Sequence, residues 1–168
     1  MKAGMIFSSA MLLAGTLFAV AARAEDAKAG DLMISVAWCR SAPATSDLAN
    51  CFVTIENKGA AADRLVSAST AAADKVEIRQ LNESGGGLTD KPVDGGLPIS
   101  PGDKVVLAPG GYHIALLNTK LALKRGAKQA IDLQFDKAGK ATVNFDVLAA
   151  SSKGPPAPKA DATMMKKK

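Results

Sequence analysis

Short blocks of alternating apolar and polar residues recur along this chain of 168 residues. Successive side chains of a β-strand point to opposite faces, so the alternation predicts half-buried strands. Eight segments show it: 32–38, 51–55, 64–69, 75–81, 104–107, 112–117, 130–135 and 141–147. Turn residues separate the blocks, and no segment sustains a helical period. We therefore predict an all-β domain of two packed sheets. Segments 60–63 and 71–74 are alanine-rich enough for a helical turn but suit strand connections equally well.

The two ends of the chain differ from the alternating region. Lys2 precedes an uncharged run over 3–22, and Ala22-Arg23-Ala24 has the small-residue pattern of a cleavage site. We predict a signal peptide over 1–24, the alternative being a membrane anchor. No later stretch has the roughly 20 apolar residues that a bilayer span needs, so we expect no transmembrane span after cleavage. Segment 151–168 is rich in proline and lysine and predicts a disordered tail, which leaves one domain over 25–150.

The charge changes this picture little. The chain has 21 basic and 16 acidic residues. Seven of the basic residues and one of the acidic residues lie in 1–24 and 151–168, so 25–150 has 14 basic and 15 acidic residues. Nucleic-acid binding needs basic residues clustered on a folded face, and we therefore expect no nucleic-acid partner.

Two cysteines, Cys39 and Cys51, each lie at the inner end of an alternating block, with turn residues between them. Strands joined in this way face each other across a hairpin, and an exported protein keeps its disulfides. We predict a Cys39–Cys51 disulfide. A redox pair and a thiolate metal site are the alternatives, but the spacing is not C-x-x-C and no histidine lies beside either cysteine.

Several blocks, read in order, resemble the PCu(A)C-type periplasmic copper chaperones. They are AWCR at 37–40, VTIENKG at 53–59, ADRLV at 62–66, KVEI at 75–78, PVDGGL at 92–97, ISPG at 99–102 and PGGYH at 109–113. The resemblance implies a cupredoxin-like Greek-key β-sandwich in the periplasm. It also implies a non-enzymatic protein that carries copper(I) to a protein partner in cytochrome oxidase assembly.

The family holds Cu(I) with histidine nitrogen and methionine sulfur, which are soft ligands suited to that ion. Carried over by position, these ligands fall on Arg79, Leu81, Asp90, His113 and Ala115, and only His113 keeps a donor of the family's type. Arginine cannot deprotonate to become a ligand, and leucine and alanine have no donor atom. The resemblance therefore implies copper binding that is weakened or lost.

His113 is the one histidine of the chain, and alternation places it on the same strand face as Ala115. It is either a histidine without a metal or the remnant of a copper site. Arg79 and Asp90 are expected to converge near it and to form an ion pair in place of the metal, the alternative being two separately solvated charges.

Nothing in the sequence indicates catalysis. One histidine and the absence of nucleophile-elbow or phosphate-loop patterns leave no catalytic residues to assign. Two hypotheses of function remain. The first is a copper-trafficking protein with a degenerate site, and the second is a metal-free binding or scaffold module.

Overall fold

The computed structural model describes residues 26–84 and 86–155, and this part of the chain consists of strands and their connections. The eleven strands are β1 (Ala27–Ala29), β2 (Leu32–Arg40), β3 (Leu48–Asn57), β4 (Asp63–Ser69), β5 (Ala73–Ser84), β6 (Gly87–Pro92), β7 (Leu97–Ile99), β8 (Lys104–Val106), β9 (Tyr112–Thr119), β10 (Lys128–Phe135) and β11 (Lys140–Leu148). All eight predicted segments are strands. The two alanine-rich segments left open connect or flank strands and form no helix.

No helix that could span a membrane occurs among the described residues. The predicted signal peptide and most of the predicted tail lie outside these residues. Ser152, at the start of the predicted tail segment, accepts a hydrogen bond at its carbonyl oxygen from Nε of Arg40 (3.1 Å).

The strands form one sheet in the order β6-β5-β9-β3-β2-β11-β10-β4-β7, with β1 beside β2 and β8 beside β3. Pairing is parallel between β11 and β2 and antiparallel elsewhere. Inward-facing residues from the two halves of this sheet, such as Ile55 and Ile114 from one and Leu133 and Phe145 from the other, belong to the same buried cluster. The sheet therefore folds over itself into two layers around one core, which confirms the predicted all-β, cupredoxin-like sandwich.

A β-bulge at Val36 determines which side chains of β2 point into the core. Ser35 lies opposite Thr54 and Trp38 opposite Phe52, so two residues of β2 face one residue of β3 between these pairs. An extra residue reverses which side chains point inward. Val36 has a positive φ of 52°, and beyond it Trp38 faces away from the core cluster.

The register beyond the bulge also brings the two cysteines opposite each other. Cys39 and Cys51 are directly opposite in the β2–β3 pair, both are fully buried, and they form the predicted disulfide. The disulfide is thus a covalent link between two neighbouring strands inside the core.

Candidate functional site

The candidate site lies on the face of β5, β6 and β9 that points away from the core, which we call the outer face. In the β5–β9 pair, Arg79 lies opposite His113 and Glu77 opposite Ala115. Ile78 and Ile114, the residues between them, belong to the core cluster. Alternation therefore places Glu77, Arg79 and His113 together on the outer face.

Asp90 reaches the same place from β6, where it lies opposite Leu81. Leu81 donates its backbone N–H to Gly111 on the β9 side (3.1 Å). The main-chain groups of Asp90 must then point away from β5, towards the outer edge of the sheet. The guanidinium of Arg79 covers this edge, because its Nη2 donates to the carbonyl oxygen of Asp90 (2.8 Å).

The guanidinium of Arg79 binds two carboxylates. Its Nη1 lies 2.6 Å from Oε2 of Glu77, and its Nε lies 3.1 Å from Oδ2 of Asp90. Nζ of Lys75 binds the other Glu77 oxygen at 2.6 Å. The expected Arg79–Asp90 ion pair is therefore confirmed, and the alternative of two separately solvated charges is wrong.

These contacts shift the pKa values of both partners. The hydrogen bond to Glu77, and after it that to Asp90, raises the pKa of Arg79 above its usual value. Hydrogen bonds from Lys75 first and Arg79 second lower the pKa of Glu77. Both residues are consequently charged at neutral pH, and their side chains are only 20% and 16% exposed.

His113 lies below this network, with 9% of its side chain exposed. Its Nδ1 is 3.2 Å from the carbonyl oxygen of Gly111, and its Nε2 is 3.7 Å from Oδ2 of Asp90. A carbonyl oxygen only accepts, so Nδ1 of His113 is the donor in its contact with Gly111, and Nε2 is the ring nitrogen that faces Asp90. The other Asp90 oxygen, Oδ1, is buried and has no hydrogen-bond partner within residues 26–84 and 86–155.

The remaining positions of the implied copper site carry no donor. Leu81 is half-buried beside Asp90, and Ala115 is fully buried beside Glu77. No group of three or more His, Cys, Asp or Glu in the described ranges is arranged to hold a metal ion. We call Glu77, Arg79, Asp90 and His113 the Arg79 cluster.

Glu77 was missed from the sequence. Its signal was its spacing, since it lies two residues before Arg79 in an alternating strand and therefore shares its face. Asn50 was also missed. It lies opposite Ala115 on β3, and its buried Oδ1 has no partner among the described residues.

The fold is that of PCuAC domains. The copper-bound PCuAC domain from PmoF2 superposes with a TM-score of 0.62 at 22% identity, over 74% of this chain and 98% of that chain. The apo PCuAC domain from PmoF1 gives 0.63 at 25% identity, over 74% and 99%. The Cu(I) form of DR1885 from Deinococcus radiodurans gives 0.56 at 25% identity, over 69% and 77%. The predicted PCu(A)C-type class is confirmed.

Within this class, the family model described as "Putative lipoprotein LpqE-like" matches residues 32–147, and the chain belongs to that family. A curated relative, "Putative lipoprotein Lxx21020" from Leifsonia xyli subsp. xyli (strain CTCB07), is 29% identical over 120 residues. The match covers 71% of each chain.

Proposed function

We propose that this protein is an extracytoplasmic copper-chaperone-like protein that acts in copper trafficking while holding Cu(I) weakly or not at all. The observation that carries the proposal is Arg79, whose guanidinium binds Glu77 and Asp90 where the family resemblance places histidine and methionine ligands. A fixed positive charge repels a metal cation and has no lone pair to offer.

His113 is the remaining candidate ligand for copper(I). Its Nε2 faces the cluster, but a single imidazole without sulfur partners binds Cu(I) loosely. Leu81 and Ala115 cannot supply the missing donors. The copper that this protein meets is then a transient ligand and not a tightly held one.

Three observations support the proposed location. The N-terminal pattern predicts a signal peptide, the family and the curated relative are described as lipoproteins, and the buried disulfide suits an oxidising compartment. We therefore propose a periplasmic location. Cys39 and Cys51 are joined to each other, so neither thiol is available for lipid attachment.

A second function, a metal-free module that binds a protein of the copper-delivery pathway, is favoured by exposed apolar side chains on the side of the sheet that carries the Arg79 cluster. Leu48, Leu88 and Val106 are 43%, 70% and 52% exposed. Strand register places all three on the side of the sheet that carries the outer face. Leu88 alternates with Asp90 on β6, Leu48 lies opposite Leu117 of β9, and Val106 lies opposite Thr54 of β3. In this second function these three side chains supply the apolar contacts to the partner.

Competition for Cu(I) with a chromogenic chelator tests the first proposal. The native protein is expected to leave copper on the chelator at micromolar concentration, as His113→Ala does. The double variant Arg79→His, Asp90→Met restores a histidine nitrogen and a methionine sulfur at these positions and should withdraw copper from the chelator. Stoichiometric copper on the native protein that is lost in His113→Ala would contradict the proposal.

Oxidase activity in cells that carry only a variant protein separates the two functions. Trafficking through the remaining ligand predicts that His113→Ala lowers copper loading of the oxidase. If the protein is a metal-free module, His113→Ala should leave oxidase activity unchanged, whereas the double variant Leu88→Lys, Val106→Lys should lower it to the level of cells without the protein. Exposed Val66 is on β4, in the other half of the sheet, and Val66→Lys is the matched control.

A further inference from the structure

The two ends of the sandwich differ in charge. Strand directions bring one set of connections together at one end, formed by 41–47, 70–72, 120–127 and 149–155. They bring another set together at the opposite end, which includes 30–31, 58–62, 100–103 and 136–139. The first set has four basic residues and one acidic residue, whereas the second has two basic and three acidic residues. We call the first the basic end.

The connection over 120–127 crosses the basic end and is held in place by main-chain hydrogen bonds. The N–H of Leu123 donates to the carbonyl oxygen of Ala42 (2.9 Å), and the N–H of Gly126 donates to that of Val147 (2.8 Å). The loop is therefore fixed to two other parts of the chain. A surface that is already ordered loses little conformational entropy when it binds a partner.

Three cations of the basic end are exposed and have no acidic partner within the described part of the chain. They are Lys124, Arg125 and Lys153. Lys120 is different, because its Nζ lies 2.6 Å from a carboxylate oxygen of an aspartate on β5. Leu121, in the same connection, is 54% exposed. An apolar side chain among unpaired cations suits a lipid headgroup layer, where charge and buried apolar area both contribute to binding.

Arg125 also lines a cleft of about 250 Å³ at this end. Its other walls include Leu148, Ser152 and Gly154. Ser152 is held there, because its carbonyl oxygen accepts a hydrogen bond from Nε of Arg40 (3.1 Å). A guanidinium binds phosphate through two parallel hydrogen bonds, so the cleft suits the phosphate of a lipid headgroup.

We propose that the basic end is a membrane-docking surface for anionic phospholipid: Lys124, Arg125 and Lys153 bind headgroup phosphates, and Leu121 enters the headgroup layer. Residues 156–168 follow directly on this end and contain four lysines and one aspartate, which add to the attraction. A lipid surface fits these cations better than an acidic protein does. They are spread over two connections, and mobile headgroups can match that spacing, whereas the carboxylates of a folded protein are fixed.

Docking at the basic end leaves the Arg79 cluster accessible. His113 lies near the start of β9, and β9 ends at Thr119, where the basic end begins. The cluster is therefore displaced along the strands, away from the membrane. A protein partner can reach the outer face while the opposite side of the molecule rests on lipid.

Co-sedimentation with vesicles in about 0.1 M salt tests the proposal. The full chain should bind vesicles made of equal amounts of phosphatidylglycerol and phosphatidylcholine and should not bind vesicles of phosphatidylcholine alone. The triple variant Lys124→Gln, Arg125→Gln, Lys153→Gln should bind the mixed vesicles about a hundredfold more weakly, because each cation near an anionic membrane contributes about fivefold. Leu121→Ser should weaken binding in the same direction.

The matched control removes the same charge at the opposite end, in the triple variant Lys58→Gln, Lys104→Gln, Lys137→Gln. It should bind the mixed vesicles within about twofold of the native protein, because charges more than roughly 10 Å from the membrane are largely screened at this salt concentration. The comparison separates a docking surface from an effect of net charge alone.

Equal binding by the two triple variants would overturn the inference, as would equal binding by the native protein and the basic-end variant. Failure of the native protein to bind the mixed vesicles would also overturn it and would leave an acidic protein as the fitting partner. The inference rests on the proposed function only for a location beside a membrane outside the cytoplasm. Tight Cu(I) binding would refute that function and would leave the vesicle result unchanged.

Discussion

The two outer faces of this sandwich carry cross-strand ion pairs of similar geometry in different surroundings. On β10 and β11, Nζ of Lys140 lies 2.7 Å from Oδ2 of Asp132, and the two side chains are 60% and 31% exposed. On β5 and β6, the Arg79–Asp90 pair spans 3.1 Å, and its side chains are 20% and 30% exposed. One partner in the first pair is a solvated lysine, whereas every member of the Arg79 cluster is at least two-thirds covered.

The difference teaches that distance alone does not determine what an ion pair contributes. An exposed pair exchanges water for a partner at little net gain, and salt screens it. A covered group that loses its partner cannot regain full hydration, so breaking its pair is costly. The face with covered charges is also the face on which the family resemblance places copper. There the guanidinium of Arg79 holds Glu77 and Asp90 together, so its removal should affect the stability of the protein.

The largest effect is expected from Arg79→Ala. The substitution leaves Glu77 and Asp90 partly buried without their shared cation, and we expect it to lower the free energy of unfolding by about 2 kcal/mol. Urea unfolding followed by the fluorescence of Trp38, the one tryptophan of the chain, measures it. A cost no greater than that of Lys140→Ala would remove the distinction between the two faces.

A double-mutant cycle between Arg79 and Asp90 should show the next largest effect. We expect a coupling free energy of about 1 kcal/mol from the ion pair between Nε of Arg79 and Oδ2 of Asp90, because both side chains are mostly covered. The hydrogen bond from Arg79 to the main-chain oxygen of Asp90 persists when the Asp90 side chain is replaced and does not enter this coupling. The same cycle on Lys140 and Asp132 should show no measurable coupling. Equal couplings in the two cycles would mean that burial does not separate the faces.

Acid titration sharpens the comparison further. The pKa of Glu77 is lowered from its usual 4.5 in the folded protein, so the unfolded chain binds a proton first as the pH falls. Its stabilising contribution is therefore complete above the unfolded pKa and is lost as the pH falls through the lower, folded pKa. Ordinary carboxyl pKa values lie between about pH 3 and about pH 5. Over that range the free energy of unfolding of Glu77→Gln should fall less than that of the native protein. Parallel curves for the two proteins would contradict this assignment.

The smallest effect is expected from Lys140→Ala. The lysine is 60% exposed and its removal should leave the urea midpoint unchanged within error at any salt concentration. Raising the salt concentration should likewise leave the midpoint difference between the native protein and Arg79→Ala largely intact, since covered pairs are screened less. A marked loss of stability in Lys140→Ala would show that ion pairs also stabilise the exposed face of β10 and β11.

Prediction from sequence succeeded for eight strands, the three-residue β8 among them, and missed β1, β6 and β7. β6, with the sequence GLTDKP, has one large apolar residue, and its strand conformation comes from pairing with β5. β1 and β7, with the sequences AKA and LPI, contain no β-branched alternation that would mark them as strands beyond the single Ile99. For the site, the family resemblance led to the Arg79–Asp90 pair beside His113, whereas the sequence did not reveal the roles of Glu77 and of the buried Asn50.

The sequence by itself determined the β class, the alternation that points Ile78 inward and Arg79 outward, and the pairing of Cys39 with Cys51. The first two follow from local chemistry, because side chains of successive strand residues must point to opposite faces. The third follows from the presence of two cysteines at the ends of strands that a turn joins. Only the tertiary structure decided that a bulge at Val36 shifts the phase of β2, that Asp90 comes from an unpredicted strand, and that His113 is almost fully covered. Register and burial depend on strands far apart in the chain, and no local pattern of residues specifies them.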